Sequence, residues 1–450
     1  MINWNDTIAA IATPPGIGGI AVIRLSGNSA LTIADKIFVG KRPTQCPTHT
    51  IHYGKIINPK NQMIIDTVLL SVFRKPKSYT GEDMVEISCH GGTFVADTIL
   101  KILLEQGARL AQPGEFTKRA VLSGRMDIVQ AEAILDLVNA KTETARRSAL
   151  SQLVGTLSKV IEEIGNELKD ILCLTENALE FEENERINPI KKIHRALKKV
   201  ENKIGRFISK GESERFLREG ALVVIVGKPN VGKSSIFNCL LERERALVTE
   251  IPGTTRDSLE ERTIIGDTLI RLVDTAGIRQ TKGKVEALGV VKTYDYLKAA
   301  DSVLAIFDNS KPPTYEDKMV LEAIKEKRCL FVLNKIDLKS KFSFTNLPGI
   351  NGQKVIRTSA RYNQGISELK KALAKLFQAK NDSEYFITNR RHIEALRQAQ
   401  NALVRAQKEN YLETIALEIR IALDALGEIT GKVTNEEILN QIFAQFCIGK

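Results

Sequence analysis

The six cysteines, at positions 46, 89, 173, 239, 329 and 447, form no CxxC pair. That scatter argues against both a cysteine-ligated zinc site and a disulfide framework, and points to a reducing cytoplasm. No apolar run approaches the ~18 residues of a membrane-spanning helix; the cleanest, Ala221–Val226, has six. The opening MINWNDTIAA has no basic n-region, so a secretory signal is not expected. Internal repeats and long low-complexity tracts are also missing, which sets aside solenoid architectures. With 43% hydrophobic and 26% charged residues, the 450-residue chain is an ordinary globular one, and at roughly 150 residues per domain it suggests about three domains.

What the chain does have is an excess of eleven positive charges, unevenly placed. Residues 186–218 hold eleven Lys/Arg against three Glu, a local +8, while the preceding 176–185 carries five glutamates and no base. Two readings stand: the solvated face of a helical hairpin, or a nucleic-acid footprint. Charge alone does not choose between them.

Three textures follow one another along the chain. Up to about residue 120, β-rich runs at 20–25, 64–73 and 84–89 are punctuated by PPGIGG, GKRP and HGG, with a helix expected over 93–106. Between Asp127 and Phe181 there is no proline, and Ile134, Leu135, Val138, Leu150, Leu153, Leu157, Ile161, Ile164, Leu168 and Ile171 recur at helical spacing. This predicts a long amphipathic helix in two pieces. From Gly220, near-continuous apolar runs at 221–227, 269–274, 302–308 and 329–334 mark strands buried on both faces, as in a parallel sheet. Helical periodicity returns from about 389, and Thr434–Glu437 fits a capping box. The expected fold is multidomain α/β plus α: an N-terminal α/β domain, then a helical domain interrupted by an inserted P-loop G domain.

GKPNVGKS, residues 227–234, matches G-x-x-x-x-G-K-[ST] between a strand and a helix. Backbone N–H groups of Asn230, Val231, Gly232 and Lys233 can curl around phosphate oxygens, with Ser234 and Ser235 opening the helix. Lys233 is expected to reach the β- and γ-phosphates and Ser234 to ligate Mg2+. Downstream, Gly253, Thr254 and Thr255 form a GTT that supplies a second Mg2+ hydroxyl. Asp274, Thr275, Ala276 and Gly277 form a DTAG on the metal and γ-phosphate side. Asn334, Lys335 and Asp337 belong to an NKID whose carboxylate can accept both the N1–H and the exocyclic amine of guanine, a donor pair adenine lacks. Ser359, Ala360 and Arg361 fit the loop that meets guanine O6. The expected nucleotide is GTP.

Ras-type switches carry a water-orienting Gln just after DTAG; here Ile278 stands there. Catalysis must therefore come from elsewhere. Asn230 and the 248–257 segment, VTEIPGTTRD, can hold a monovalent cation near the β–γ bridge, stabilising transition-state charge as an arginine finger does. Glu286, twelve residues beyond Asp274, can orient the attacking water.

DTIAAIATPPGIGGIAVIRLSG (6–27), SYTGEDMVEISCHGG (78–92), PGEFTKRA (113–120), GKPNVGKSS, GTTRD, DTAG and the terminal FCIGK (446–450) together resemble the MnmE (TrmE) family of tRNA-modification GTPases, end to end. The resemblance implies an N-terminal folate-binding and dimerisation domain over 1–120, a helical domain at 121–218 and 379–450, and a G domain at 219–378. It implies a potassium-activated GTPase in which Asn230, Thr249, Ile251 and Thr254 hold K+, and Ser234 and Thr255 hold Mg2+. Glu286, Lys233 and Arg256 are then the catalytic set, and Glu250 and Pro252 belong to the nucleotide loop. The family works as a homodimer with a flavoprotein partner, MnmG. It adds an aminomethyl-type group at C5 of the wobble uridine of certain tRNAs, using a 5-formyl- or 5,10-methylene-tetrahydrofolate carbon and nitrogen from glycine or ammonium. Arg24, Glu86, Arg125 and Lys450 match its folate site; Arg125 stands where related chains can carry lysine, and guanidinium is bidentate where ammonium is not.

Cys447 is open to two readings, a small buried side chain closing the last helix or a thiol near the one-carbon unit. His90, in CHGG, is expected as a structural turn residue more than as a catalytic acid. A ribosome-assembly GTPase holding rRNA and a passive GTP-bound scaffold are the rival functions. The first lacks a GXXG-type module after the G domain, and the second leaves Glu286 unexplained.

Overall fold

The computed structural model describes residues 6–180, 189–241, 260–274, 295–344, 354–377, 387–433 and 436–450. The chain divides into two compact units: Met1–Leu135 with Gln152–Glu201 and Gln398–Lys450, and Asp136–Ser151 with Asn202–Arg397.

The first unit is built on a seven-stranded sheet. Its strands are β1 (Ile8–Ile11), β2 (Ile20–Ser26), β3 (Phe38–Val39), β4 (Thr50–Ile57), β5 (Ile64–Phe73), β6 (Met84–His90) and β7 (Arg109–Leu110). They lie in the order β3-β4-β5-β6-β2-β1-β7, all antiparallel except β7 beside β1. Alternation along β2 and β5 sends Ile23, Leu25, Val68 and Leu70 into a core shared with the helices Ala30–Ile37 and Thr93–Glu105. The expected helix at 93–106 is thus present.

Beyond the sheet the unit is helical. Helix Thr156–Glu180 buries Leu157, Ile161, Ile164, Leu168 and Ile171 and packs on Leu412–Thr430, which buries Ile415, Ile419, Ala422, Leu426 and Ile429. The stretch expected as two helical pieces is three: Ile128–Asn139, Glu143–Leu153 and Thr156–Glu180. Gly155, at φ +83°, interrupts it, a conformation an L side chain adopts only with strain. Each break resets the helical phase, which leaves Val138 and Leu150 exposed although they fall on the stripe. The capping box at Thr434–Glu437 lies in part outside the described residues.

The second unit carries a six-stranded sheet: β8 (Ala221–Val226), β9 (Glu260–Ile265), β10 (Thr268–Asp274), β11 (Ser302–Asp308), β12 (Cys329–Asn334) and β13 (Val355–Arg357). The order is β13-β12-β11-β8-β10-β9, parallel throughout except for β9 at the edge. β8 and β11 are buried at every position, as their unbroken apolar runs require when both faces are covered. Parallel pairing brings the carboxyl ends of five strands to one edge, where open α/β sheets place their ligands. Among the described residues, no helix is long and apolar enough to cross a membrane.

Helix Glu115–Leu122 of the first unit is buried around its whole first turn and a half, charged residues included. Arg119, with 2% of its side chain exposed, meets Asp6 at 2.5 Å, Glu115 at 3.0 Å and Glu82 at 3.2 Å. Burial alone would raise the Asp6 and Glu115 carboxyls, but the arginines Arg109 and Arg119 hold both below their ordinary values of 3.8 and 4.5. A group depressed in the folded state stabilises above its unfolded pKa, and that contribution fades as pH falls through the lower folded value. Replacing Arg119 by Met takes this cation from Glu82 and leaves Asp6 and Glu115 with Arg109 alone. Urea unfolding at pH 7 is expected to show a loss of about 3–5 kcal/mol, and the gap to wild type is expected to shrink below about pH 4 as the carboxylates protonate.

Candidate functional site

The phosphate loop follows β8 and precedes helix Lys233–Leu241. Its shape is set by three positive-φ residues, Gly227 at +151°, Asn230 at +64° and Gly232 at +97°. A Cβ on Gly227 would lie 2.4 Å from the Ile306 carbonyl oxygen, and one on Gly232 would lie 2.3 Å from Asn334 Nδ2. Both glycines are therefore required by contact as well as by dihedral. Lys233 Nζ donates to the carbonyls of Gly227 (3.0 Å) and Lys228 (2.9 Å), which holds the ammonium inside the turn. The exposed Ser234 and Ser235 begin the helix.

Ser234 Oγ donates to Asp274 Oδ2 at 2.7 Å, joining the start of that helix to the end of β10. A hydroxyl beside a carboxylate is a hard-oxygen pair suited to Mg2+. Among the described residues no group of three or more His, Cys, Asp or Glu side chains gathers as for a protein-caged metal.

Three further strand ends gather beside the phosphate loop. Asn334, buried at the end of β12, donates through Nδ2 to Val231 O at 2.9 Å. Its Oδ1 accepts from Ala360 N at 3.1 Å and Thr358 Oγ1 at 3.3 Å. Lys335 Nζ donates to Asn230 O at 2.6 Å and to Asp308 Oδ2 at 2.7 Å. Burial would raise the Asp308 carboxyl, but Lys335 and Ser310 bring it below the ordinary aspartate value. Asp337 is exposed, and its Oδ1 accepts from Ser359 Oγ at 2.6 Å; Arg361 is exposed, its guanidinium 5.5 Å from the Tyr362 ring. Asn230, Val231, Gly232, Lys233, Ser234, Asp274, Asn334, Lys335, Asp337, Ser359 and Ala360 thus come together. Thr249, Glu250, Ile251, Pro252, Gly253, Thr254, Thr255, Arg256, Thr275, Ala276, Gly277 and Glu286 lie outside the described residues.

Two partners here escaped sequence reasoning. Lys228, buried in the phosphate loop, donates to Asp317 Oδ2 at 2.8 Å and Thr314 Oγ1 at 3.3 Å, while Asp317 completes the capping box of helix Tyr315–Ile324. Asp308 anchors Lys335. The T-x-x-D spacing at 314–317 was the available signal for the cap; nothing local links either carboxylate to its lysine.

The first unit holds a second cluster. Arg24 on β2 donates to Glu86 Oε1 on the adjacent β6 at 2.8 Å, the two being paired in register. Its Nη1 donates to the Gly449 carbonyl at 3.2 Å, and its guanidinium lies 5.5 Å from the Tyr79 ring. Gly449, at φ +95°, is pressed so closely on β1 that a Cβ would lie 2.4 Å from Ile11 O. Burial lowers the Lys450 ammonium from its ordinary value, opposed by Cys447 and reinforced by Arg24. Arg125 Nε donates to Ser78 O at 3.1 Å, next to Tyr79. Tyr79 itself, pushed up by burial and bonded to Thr117 Oγ1 at 2.8 Å, was not singled out in the sequence. A carboxylate, an aromatic face and three cations gathered from distant segments suit a flat heterocycle with an acidic tail.

Cys447 is exposed and lies past the last helix, Glu436–Phe443. The reading of it as a buried residue closing that helix is therefore corrected; the buried positions are taken by Phe443 and Phe446. His90 pairs with Asp66 through Nδ1 at 2.7 Å and through its own backbone N–H at 2.8 Å, a structural arrangement at the end of β6.

Comparison with known proteins extends over the whole chain. The family model described as the MnmE helical domain matches residues 128–447, and that of the GTP-binding protein TrmE N-terminus matches residues 7–125. The tRNA modification GTPase MnmE of Acetivibrio thermocellus is 41% identical over 457 residues, with 99% of each chain covered. That of Geobacillus kaustophilus is 42% identical over 458 residues, again with 99% of each covered. The Carboxydothermus hydrogenoformans protein is 42% identical over 463 residues, covering 99% of this chain and 100% of its own. With both family models matched and identity sustained from end to end, the chain belongs to the MnmE family of tRNA modification GTPases and hydrolyses GTP in the service of tRNA modification.

Proposed function

We propose that this GTPase, acting with the flavoprotein MnmG, installs a carboxymethylaminomethyl or aminomethyl group at C5 of the wobble uridine of certain tRNAs. A tetrahydrofolate derivative, 5-formyl or 5,10-methylene, supplies the carbon. The observation that carries this reading is the cluster of Arg24, Glu86, Tyr79 and the 449–450 backbone, a second ligand site on a chain whose other unit carries the phosphate loop. Glu86 accepts from the amidine-like edge of the pterin, and Arg125 and Lys450 meet the folate carboxylates. In this reading the exposed thiol of Cys447 meets the one-carbon unit or the uridine.

In the G domain, Lys233 neutralises the β- and γ-phosphates, Ser234 and Thr255 ligate Mg2+, and Asp337 selects guanine. A K+ ion held by Asn230, Thr249, Ile251 and Thr254 takes the place of an arginine finger, with Glu286 aligning water and Arg256 assisting. The domains run 1–120, 121–218 with 379–450, and 219–378. Homodimerisation through the first is supported by exposed apolar residues on one face of β4 and β5: Ile51, Tyr53 and Leu69, with Tyr53 directly opposite Leu69. The +8 segment forms helix Pro189–Glu214, which buries Ile193, Leu197, Val200 and Ile204 and exposes Lys192, Arg195, Lys198, Lys199 and Arg206. That exposed basic face suits a tRNA backbone. The enzyme works in the cytoplasm.

GTP turnover in KCl is expected to exceed that in NaCl at equal ionic strength by about 10²-fold, the usual scale of a lost charge stabiliser; equal rates would remove the cation. Asp337→Asn is expected to shift preference from GTP to XTP, and a variant that still favours GTP contradicts the base-reading role. Nucleoside mass analysis of tRNA from cells lacking the chain is expected to show unmodified wobble uridine. Unchanged nucleosides would return the protein to another tRNA modification.

A further inference from the structure

Outside both sites, the first unit contains a cavity of about 530 Å³ between the turn at 121–127 and the helices Thr156–Glu180 and Leu412–Thr430. Its floor is apolar, with Met126, Ile161 and Leu426, and Arg125, Lys169 and Lys432 stand around it. Two acids also face it. Asp127 is engaged by the Gln130 N–H at 2.8 Å, and Glu162 by Lys432 at 2.9 Å. Ser158 also contributes to the wall, its hydroxyl oxygen turned away from the open space.

The position of Arg125 gives the cavity its meaning. Arg125 lines it and at the same time bonds the carbonyl of Ser78, whose neighbour Tyr79 carries the Arg24 guanidinium on its ring. The cavity therefore opens off the cationic end of the Arg24–Glu86 cluster, the end assigned to carboxylate rather than pterin. A nucleoside that reacts with the one-carbon unit must meet the pterin, so this is the wrong end for it. What continues outward from a folate's carboxylate is its γ-linked glutamyl chain.

We propose that the cavity receives the oligo-γ-glutamyl tail of the reduced folate, with Arg125, Lys169 and Lys432 meeting successive carboxylates. The proposal rests on the folate reading and gives that site a preference for polyglutamylated over monoglutamylated ligand. Gly165 supplies a clean test. It lies in the wall of the cavity within a helix, and a Cβ added there meets nothing within 4 Å. Gly165→Leu thus sets its Cβ in open space and projects the rest of its side chain into the cavity, and leucine is the better helix former.

Calorimetry on the full chain compares (6S)-5-formyltetrahydrofolate carrying one or five glutamyl residues. Wild type is expected to bind the pentaglutamate roughly tenfold tighter at low salt, the scale of a few partly exposed ion pairs. The advantage is expected to shrink as ionic strength rises. Gly165→Leu is expected to abolish it with an unchanged or raised unfolding temperature, and Lys169→Gln, on an exposed helix surface, to reduce it. Equal affinities in wild type overturn the proposal while leaving the folate site standing. An advantage that survives both substitutions places the tail elsewhere and overturns it as well. Failure of both ligands to bind wild type removes the folate reading, and the proposal with it.

Discussion

One buried amide holds the nucleotide half of this molecule together. Asn334 spends its Nδ2 on the phosphate loop and its Oδ1 on the loop after β13, so a single side chain ties both segments to the end of β12. Buried polar groups are costly unless paired, which makes these bonds mutually dependent. The missing Cβ of Gly232 is what lets the amide approach, and a lysine next in sequence, Lys335, repeats the connection through Asn230 and Asp308. Each loop is exposed, but none is positioned independently of the others. A chain that moves Asn334 moves the whole rim.

The other half solves a different problem by related means. Arg24 is held on one side by its cross-strand partner Glu86 and on the other by backbone from the far end of the chain. Around the corner, Arg119 is enclosed by Asp6, Glu82 and Glu115. Enclosed ion clusters of this kind contribute less to stability than an apolar core of the same volume, but they penalise any packing that separates the partners. Both sites therefore sit on frameworks defined by charge placement, on sheets whose apolar faces supply the stability.

Much of this was legible in the residues. β11 and β12 begin and end where the apolar runs do, because a strand buried on both faces has to be apolar throughout. The phosphate loop, Asp274 and the NKID strand end were legible because their spacing is imposed by a ligand of fixed size. Less visible were features set by phase and by distance. The helical stripe from 127 to 181 read as two pieces, with no proline to mark a further break, yet Gly155 and the turn at 140–142 divide it into three. Lys228–Asp317 and Lys335–Asp308 join residues 89 and 27 apart, and no periodicity encodes such pairs. Cys447 looked like a core residue by type, but its two phenylalanine neighbours had already filled the core.

The bond from Arg24 to Gly449 spans 425 residues, against 62 for Arg24 to Glu86. Closing the longer loop in an unfolded chain costs about 2 kcal/mol more than closing the shorter one. Everything between Ala221 and Arg357 leaves the ribosome before residue 449 does. Both sheets are therefore complete in sequence, and free to fold, while Arg24 still waits for its last partner. Folding of that interior shortens the effective loop, so the insertion acts as a spacer whose compactness speeds closure. The cluster around Arg24 and Glu86 is in this sense the last part of the protein to be completed, because Gly449 follows the whole nucleotide-binding half in the chain.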